Sequence, residues 1–304
     1  MSNPFLYGIA SGKLPPFVDD KAIASNKEAA LEFQNRLSHF WLLADPDGKW
    51  GPLSARALSI YKSFRGISEP GLGKATAASL INTDPNTLIR GYSLDGSWAS
   101  RTLMWYVYHN FYFSTNPGEI NICYFRGLSR NGSWNGNEPF VFNDRRVVWR
   151  VRQAGDALVP EFVGNWLATC DPGEYYWENP MNDKGCADIK AWQYQAWSVG
   201  DHNGQNALVQ TGNITVLRGP GRIPDTGNDF YVDQHTVGKG QDFNFGDTVG
   251  RWSAGCMVGA SRREHDEEFM RIVQSDPREK ANPRVYRHWT AVINGNDFLG
   301  MFPG

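Results

Sequence analysis

Residues 233–258 read DQHTVGKGQDFNFGDTVGRWSAGCMV, and the fold turns on how this stretch is built. The run FYVDQH at 230–235 is aromatic and β-branched and predicts a strand, whereas 238–250 is rich in Gly and Asp, the composition of a crossing loop. Ser253-Ala-Gly-Cys256 then forms a tight turn. Such a turn aims successive backbone N–H groups at one point, and Gly255 leaves room for a reacting group to approach. A thiol with an ordinary pKa of about 8.5 needs a base or a positive neighbour to become a nucleophile. Among six His, His235 fits that need, 21 residues upstream of Cys256 at a strand end. An antiparallel return of the chain is expected to bring the two together. His202, in VGDHNGQ, is the substitute base.

Outward from this stretch the same texture recurs. RVVWRV (146–151), IKAWQYQAWSV (189–199), ALVQ (207–210), ITVLR (214–218) and VYRHWTAVI (285–293) are short runs parted by Gly, Asn, Asp and Pro. They predict a mainly-β domain over 116–304. One helix follows the cysteine: Ser261-Arg-Arg-Glu264 is a capping box, and Phe269, Ile272 and Val273 supply its buried stripe.

The N-terminal third is different. Residues 1–21 read as an extended lead-in. Helical spacing of Ala30, Phe33, Leu37, Phe40 and Trp41 ends at the turn Asp45-Pro46-Asp47-Gly48. A short repeat follows, Gly51-Pro-Leu-Ser54-Ala-Arg-Ala-Leu58 and Gly73-Lys-Ala-Thr76-Ala-Ala-Ser-Leu80, its copies 22 residues apart. Ser54 and Thr76 are expected to cap helix starts, giving a three-helix module over 22–82. Residues 83–115 hold a turn-rich linker and an aromatic helix over 101–113. The fold class expected is therefore α+β, a small helical module followed by a mainly-β domain.

Composition sets the outer limits. The chain has 304 residues, 41% of them apolar and 20% charged, which excludes a disordered chain and allows two domains. Thirty basic and 32 acidic residues leave a net charge of −2, which argues against nucleic acid and anionic lipid as partners. No apolar run reaches the roughly 18 residues of a membrane span. The 12 Trp suit β-rich cores or ring-lined clefts, with Trp252 beside the cysteine turn and Trp192 and Trp197 on a strand leading toward it. Cys123, Cys170 and Cys186 are expected as reduced core thiols, and no C-x-x-C pair suggests a metal ribbon. The segment MSNPFLYGIASGKLPPF lacks a secretory signal pattern, so synthesis in the cytoplasm without a Sec signal is expected.

Two resemblances join these observations. FQNRL, DGKWGPLSARAL, IYKSFRGI and GLGKATAASL, over about 60 residues, resemble the peptidoglycan-binding module at the ends of many bacterial and phage wall enzymes; Tyr61-Lys62 departs from that family's usual Phe-Gln. His235 with Ser253-Ala-Gly-Cys256 resembles the His and Ser-His-Gly-Cys signature of L,D-transpeptidases, and Thr169-Cys-Asp-Pro-Gly-Glu-Tyr175 resembles a strand motif of that fold. From NPMNDKG to EEFMRIVQSD, within roughly 119–295, the chain looks like uncharacterised bacterial and phage proteins that combine both parts. Ala254 stands in place of the family's second His, Thr236 in place of a Gly, and Val258 in place of an Arg that anchors a carboxylate.

The resemblance implies an enzyme of peptidoglycan stem peptides with Cys256 as nucleophile and His235 as base. Backbone N–H groups of the turn formed by Ser253, Ala254 and Gly255 would hold the oxyanion, Asp233 would orient the imidazole, and Trp252, Arg251 and Arg262 are candidate substrate contacts. A thioester passed to water gives an endopeptidase or carboxypeptidase, and one passed to an amine gives an L,D-transpeptidase. Without a signal, a lysin- or effector-like protein carried by a phage-type or secretion-type machine, acting at the wall or periplasm, is expected. Glycan and stem peptide are the partners, and no metal or organic cofactor is implied. The alternative is a non-catalytic wall-binding protein that keeps the fold. A metal-dependent amidase using His202, His235 and a Cys lacks any helix-spaced ligand pair.

Overall fold

A computed structural model describes residues 3–303. In chain order it holds α1 (Pro4–Ser11), α2 (Asp20–Ala24), α3 (Lys27–Ser38), α4 (Pro52–Arg65), α5 (Lys74–Asn82), α6 (Trp98–Tyr108), β1 (Asn121–Arg126), β2 (Asp144–Ala154), β3 (Ala157–Thr169), α7 (Glu174–Glu178), β4 (Ala187–Ile189), β5 (Gln193–His202), β6 (Gln205–Gln210), β7 (Ile214–Arg218), β8 (Ile223–Gly227), β9 (Gln234–Thr236), β10 (Met257–Gly259), α8 (Arg262–Glu264), α9 (Met270–Ser275), α10 (Pro277–Ala281), β11 (His288–Asn294) and α11 (Gly295–Met301). No helix among the described residues is long and apolar enough to cross a membrane. The chain is a mixed α and β protein in two compact units.

The first unit takes the residues up to Phe111, Arg152–Pro160, and those from Asp297 on. The lead-in expected to be extended is a helix instead: Pro4 begins α1, and Gly12 ends it in a left-handed conformation. The cause lies far along the chain. Glu32 of α3 accepts hydrogen bonds from the N–H groups of Phe5 (3.1 Å) and Leu6 (2.8 Å), the unpaired donors of a helix start. Ser54 and Thr76 do not cap α4 and α5. Gly51 and Gly73 occupy the cap positions, Pro52 fixes the start of α4, and the two hydroxyl residues lie buried in the first turns. Gln34 of α3 accepts from the N–H groups of Asp47 (3.1 Å) and Gly48 (2.7 Å) and donates to Lys49 O (3.0 Å) and Ser54 Oγ (2.9 Å). One buried amide thus ties the Asp47-Gly48 turn to α3 and α4. The aromatic helix belongs to this unit: Trp105 packs against Phe298, with ring centroids 5.9 Å apart, and Arg101 donates to Phe302 O at 3.0 Å.

The second unit, Tyr112–Val151 with Glu161–Asn296, is built on a closed barrel in the order β1-β11-β5-β6-β9-β10-β3-β2, with a separate sheet β4-β7-β8. Two pairs, β1 with β11 and β9 with β10, run parallel. Tyr124, Val148, Trp197, Leu208, Met257 and Val292 belong to its main core together with Phe269, Met270 and Val273 of the late helical segment. Ser261 caps that segment as expected, its Oγ accepting from Glu264 N at 3.3 Å. A single π turn at His265–Phe269 sends both His265 and Phe269 inward. Trp197 is wholly buried with its Nε1 donating to Val232 O at 2.7 Å, so it is core, while Trp192 is exposed and lines no part of the cleft described next.

Candidate active site

The parallel pairing of β9 with β10 positions the residues of residues 233–258. Met257 lies opposite Gln234 and Val258 opposite His235, so Cys256, one residue before β10, falls at the level of Asp233. Period-two alternation then turns Asp233, His235, Cys256 and Val258 to the same face. This corrects the expected antiparallel return. Two strands in the same direction need a crossover, and the Gly-rich stretch after Val237 provides it, with left-handed turns at Gly240, Gly246 and Gly250.

Three side chains converge. The ligating atoms of His202, His235 and Cys256 all lie within 4.8 Å of one another. His202, at the end of β5, stacks on His235 with ring centroids 4.0 Å apart and 8° between planes. The Nδ1 of His202 donates to Asp233 Oδ2 at 2.8 Å, and Asp233 Oδ1 accepts from Gln210 N at 2.8 Å. Asp233 therefore orients His202, not His235 as expected. His235 instead gives its Nδ1–H to the carbonyl of Thr236 at 2.9 Å. In both rings Nε2 is left as the lone-pair nitrogen. His202 is the residue the sequence undervalued; its signal was the position of VGDHNGQ at the open end of a predicted strand.

The electrostatics describe a neutral resting pair. Burial pushes the Cys256 thiol up to about 12, with the Asp233 charge adding to it and a hydrogen bond from the Asp233 backbone opposing it. Burial also holds His235 down to about 3, and the neighbouring His202 works in the same direction. Cys256 accordingly keeps its proton, which it donates to Tyr231 O at 3.2 Å.

The turn itself is braced from two sides. Ser253 Oγ donates to Cys256 O at 2.8 Å and accepts from Gly255 N at 3.2 Å, so this hydroxyl stabilises the turn and the Gly255 N–H is committed to it. Gly173 N donates to Ser253 O at 2.8 Å. The segment 169–175, expected as a strand, leaves β3 at Thr169 and enters α7, because Pro172 cannot continue the ladder and Gly173 is needed where the chain touches Gly250. Gly255 has φ of 129°, and a Cβ there would meet Ala187 O at 2.7 Å.

A cleft of about 810 Å³ opens over this centre, and His202, His235 and Cys256 lie in its wall. Trp252, Arg251 and Ala254 also line it, as expected for the first two; the Arg251 guanidinium sits 3.8 Å from the centre of the Tyr175 ring. Arg262 does not line the cleft. It is paired with Asp266 one turn along its own helix. Cys186 is a free, buried thiol as expected and also forms part of the cleft wall, donating to Ala254 O at 3.6 Å and pushed up by burial to about 11. Lys184, Arg218, Asp225 and Asp229 give the rim both signs of charge. Val258, in place of an arginine, is buried in a small apolar cluster with Cys256, Val237 and Phe142, so no cation is anchored there.

Behind the site lies a buried arginine. Arg146 of β2 donates from Nη2 to His235 O (2.8 Å), from Nε to Tyr124 Oη (2.6 Å) and from Nη1 to His265 Nδ1 (2.8 Å), with its guanidinium 4.3 Å from the Phe269 ring centre. That donation requires Nδ1 of His265 to be the bare nitrogen, so its Nε2–H goes to Asn206 O at 2.8 Å. The barrel interior thus fixes the backbone of His235 from behind.

No family model matches the chain, and neither does any curated protein. Two solved structures are similar to it. One is a fused Zn-dependent amidase/peptidase/peptidoglycan-binding domain-containing protein from Clostridium acetobutylicum, 13% identical over 89% of this chain and 97% of that one, with a TM-score of 0.27. The other is the L,D-transpeptidase (residues 123–326) from Xylanimonas cellulosilytica, 10% identical over 92% of this chain and 98% of that one, with a TM-score of 0.23. Matches this loose fix neither the fold nor the chemistry, which rest on the cleft itself.

Proposed function

We propose that the chain is a cysteine acyl-transfer enzyme that works on the stem peptides of peptidoglycan. One observation carries the chemistry: a thiol and two stacked imidazoles meet in the wall of a single cleft, with a carboxylate behind one of them. The substrate class rests on the resemblance of His235 and Ser253-Ala-Gly-Cys256 to the L,D-transpeptidase signature, and a cleft rim of mixed charge suits a peptide that carries both amines and carboxylates.

In this reading Cys256 and His235 start as thiol and neutral imidazole. Substrate displaces the Tyr231 carbonyl as the partner of the thiol, the proton passes to His235 Nε2, and Sγ attacks the peptide carbonyl. The imidazolium that forms lies against His202, and the Asp233 carboxylate behind that ring offsets the new charge. With the Gly255 N–H held by Ser253, the Cys256 N–H is left to hold the oxyanion, a contribution of about 3 kcal/mol for one donor. The C–N bond breaks, His235 returns its proton to the leaving amine, and the thioester passes to water or to a second amine. The helices around Gln34 would hold the glycan, in keeping with the module they resemble.

The test is digestion of purified sacculi by the full chain and by Cys256→Ala, with soluble products resolved by mass. Muropeptides released by the first and not by the second are expected. Equal release by both overturns the cysteine mechanism, and pelleting with sacculi without any release favours a binding protein.

A further inference from the structure

The same three side chains have a second property that acyl transfer does not need. We propose that His202, His235 and Cys256 form a binding site for a borderline-soft divalent cation of the zinc class, and that its occupation blocks the cysteine chemistry. The binding half stands on the geometry below; the blocking half rests on the function proposed above.

Zinc takes imidazole nitrogen and thiolate sulfur in a tetrahedral shell, at roughly 2.0–2.1 Å and 2.3 Å, which sets its donors roughly 3.3–3.6 Å apart. Here the three donors already lie within 4.8 Å of one another, and because the two rings are stacked 8° from parallel, one imidazole must swing out of the stack about its side-chain torsions for both nitrogens to reach one cation. The outer partners are those that zinc-binding histidines use. His202 is backed through Nδ1 by the Asp233 carboxylate and His235 through Nδ1 by the Thr236 carbonyl, which fixes both tautomers and leaves Nε2 as the lone-pair nitrogen of each ring. The backbone of His235 is further held from behind by Arg146 on its carbonyl. Asn203 Nδ2, 3.4 Å from His202 Nε2, is the weak contact that a cation would replace. The fourth position opens to the cleft and would be filled by water.

Binding exchanges the Cys256 proton for the cation and leaves a metal-bound thiolate, with the proton released to solvent. A thiolate and an imidazole lone pair that both ligate a cation are no longer nucleophile and base. Asp225 is paired with Lys184 and Arg218, so Asp229 in the cleft wall and Asp233 behind His202 favour entry of a dication, while Arg251 opposes it.

The experiment is a cobalt(II) titration of the full chain, stripped by chelator and kept reduced. The expected result is a thiolate-to-cobalt charge-transfer band in the near ultraviolet, with the intense visible bands of a tetrahedral ion, saturating near one cation per chain and displaced by zinc. Cys256→Ser should remove the charge-transfer band, and Asp233→Asn should weaken binding by about 10–100-fold. Absence of the band in the unaltered chain overturns the site whatever the variants do. Separately, sacculus release by the chain should be lost on adding zinc and return with chelator. Release that continues unchanged with the site filled, or rises with zinc, overturns the blocking half. A missing cobalt band beside cysteine-dependent release would remove the cation site and leave the enzyme reading intact. A band without any release would do the reverse.

Discussion

The rings of His202 and His235 lie face to face, 4.0 Å apart and 8° from parallel, and only the first of them touches a carboxylate. Two stacked imidazoles at that distance repel each other when both are protonated, and His202 accordingly adds to the burial that holds His235 neutral. His235 shares a sheet face with Cys256, and His202 stands between His235 and Asp233.

That arrangement assigns different losses to different variants. His235→Ala should lower the rate of sacculus release by about 10²–10⁴-fold, the usual contribution of a general acid–base group. His202→Phe keeps a ring in the stack but loses the link to Asp233. It should lower kcat by about tenfold with little change in KM, and Asp233→Asn should do the same. If His202→Phe works as well as the unaltered chain, His202 is only a packing surface.

Thiol reactivity gives a test that needs no substrate. With Cys256 pushed to about 12 and Cys186 to about 11 by burial, almost no thiolate is present at neutral pH. Iodoacetamide at pH 7.5 should alkylate the folded chain more than about tenfold more slowly than a free thiol of ordinary pKa, with the rate rising steeply above pH 9. Rapid alkylation of Cys256 alone, read by peptide mass, would mean that the resting site is an ion pair.

The cysteine turn depends on a missing side chain. Gly255→Ala forces a Cβ against Ala187 O, 2.7 Å away, at a φ of 129° that L-residues rarely adopt. The expected cost is about 1–3 kcal/mol in denaturant unfolding, together with loss of sacculus release. An alanine variant with unchanged stability would show that the turn and β4 can move apart.

How far the sequence foretold this site can be read from single residues. Cys256, His235 and the Gly-rich crossover were legible, because a tight turn after a strand is a local pattern. The direction of the return was not, since parallel and antiparallel partners carry the same alternation and only the closed barrel decides between them. Asp233 sat two residues from His235 and was matched to it, yet its partner is His202, brought from β5 by sheet pairing. Arg146 was unreadable for the same reason: it lies in RVVWRV as one more strand residue, and its role comes from Tyr124, His265 and the His235 carbonyl, each on a different element. In the first unit the helical spacing of α3 is visible and the repeat marks α4 and α5 though not their caps, while α1 is hidden because its start is satisfied by Glu32 rather than by a local cap.

Stability should depend on pH through His288. It is buried beside Tyr286 and Glu279, and burial holds it down to about 4, against about 6.5 in an unfolded chain. The unfolded state therefore takes up this proton first as the pH falls. The stabilisation is complete above pH 6.5 and is lost progressively toward pH 4. His288→Gln should flatten the fall of Tm between pH 6.5 and 4 relative to the unaltered chain. Parallel curves for the two proteins would show that His288 protonates alike in both states.

Gln34 offers the corresponding test in the first unit. Its amide is 1% exposed and serves Asp47 N, Gly48 N, Lys49 O and Ser54 Oγ at once. Leucine fits the volume and supplies none of these partners, so Gln34→Leu strands donors and acceptors that water reaches poorly. At about 1–3 kcal/mol for each group left unpaired, and with some of them able to turn to solvent, a loss of about 2–4 kcal/mol is expected. Gln34→Glu separates the two halves of the amide. It keeps an acceptor for Asp47 N and Gly48 N but turns a negative charge toward Lys49 O and the Asp47 carboxylate, so it should be at least as destabilising at pH 7 and recover as the pH falls and the new carboxylate takes up a proton. Hydrogen exchange at Gly48 reads the effect locally: its amide should exchange faster in Gln34→Leu and stay protected in Gln34→Glu at low pH. Equal protection in all three chains would mean that the Asp47-Gly48 turn holds its shape without Gln34, and that the geometry of the DG-x-x-G-x-x-S segment comes from its own backbone.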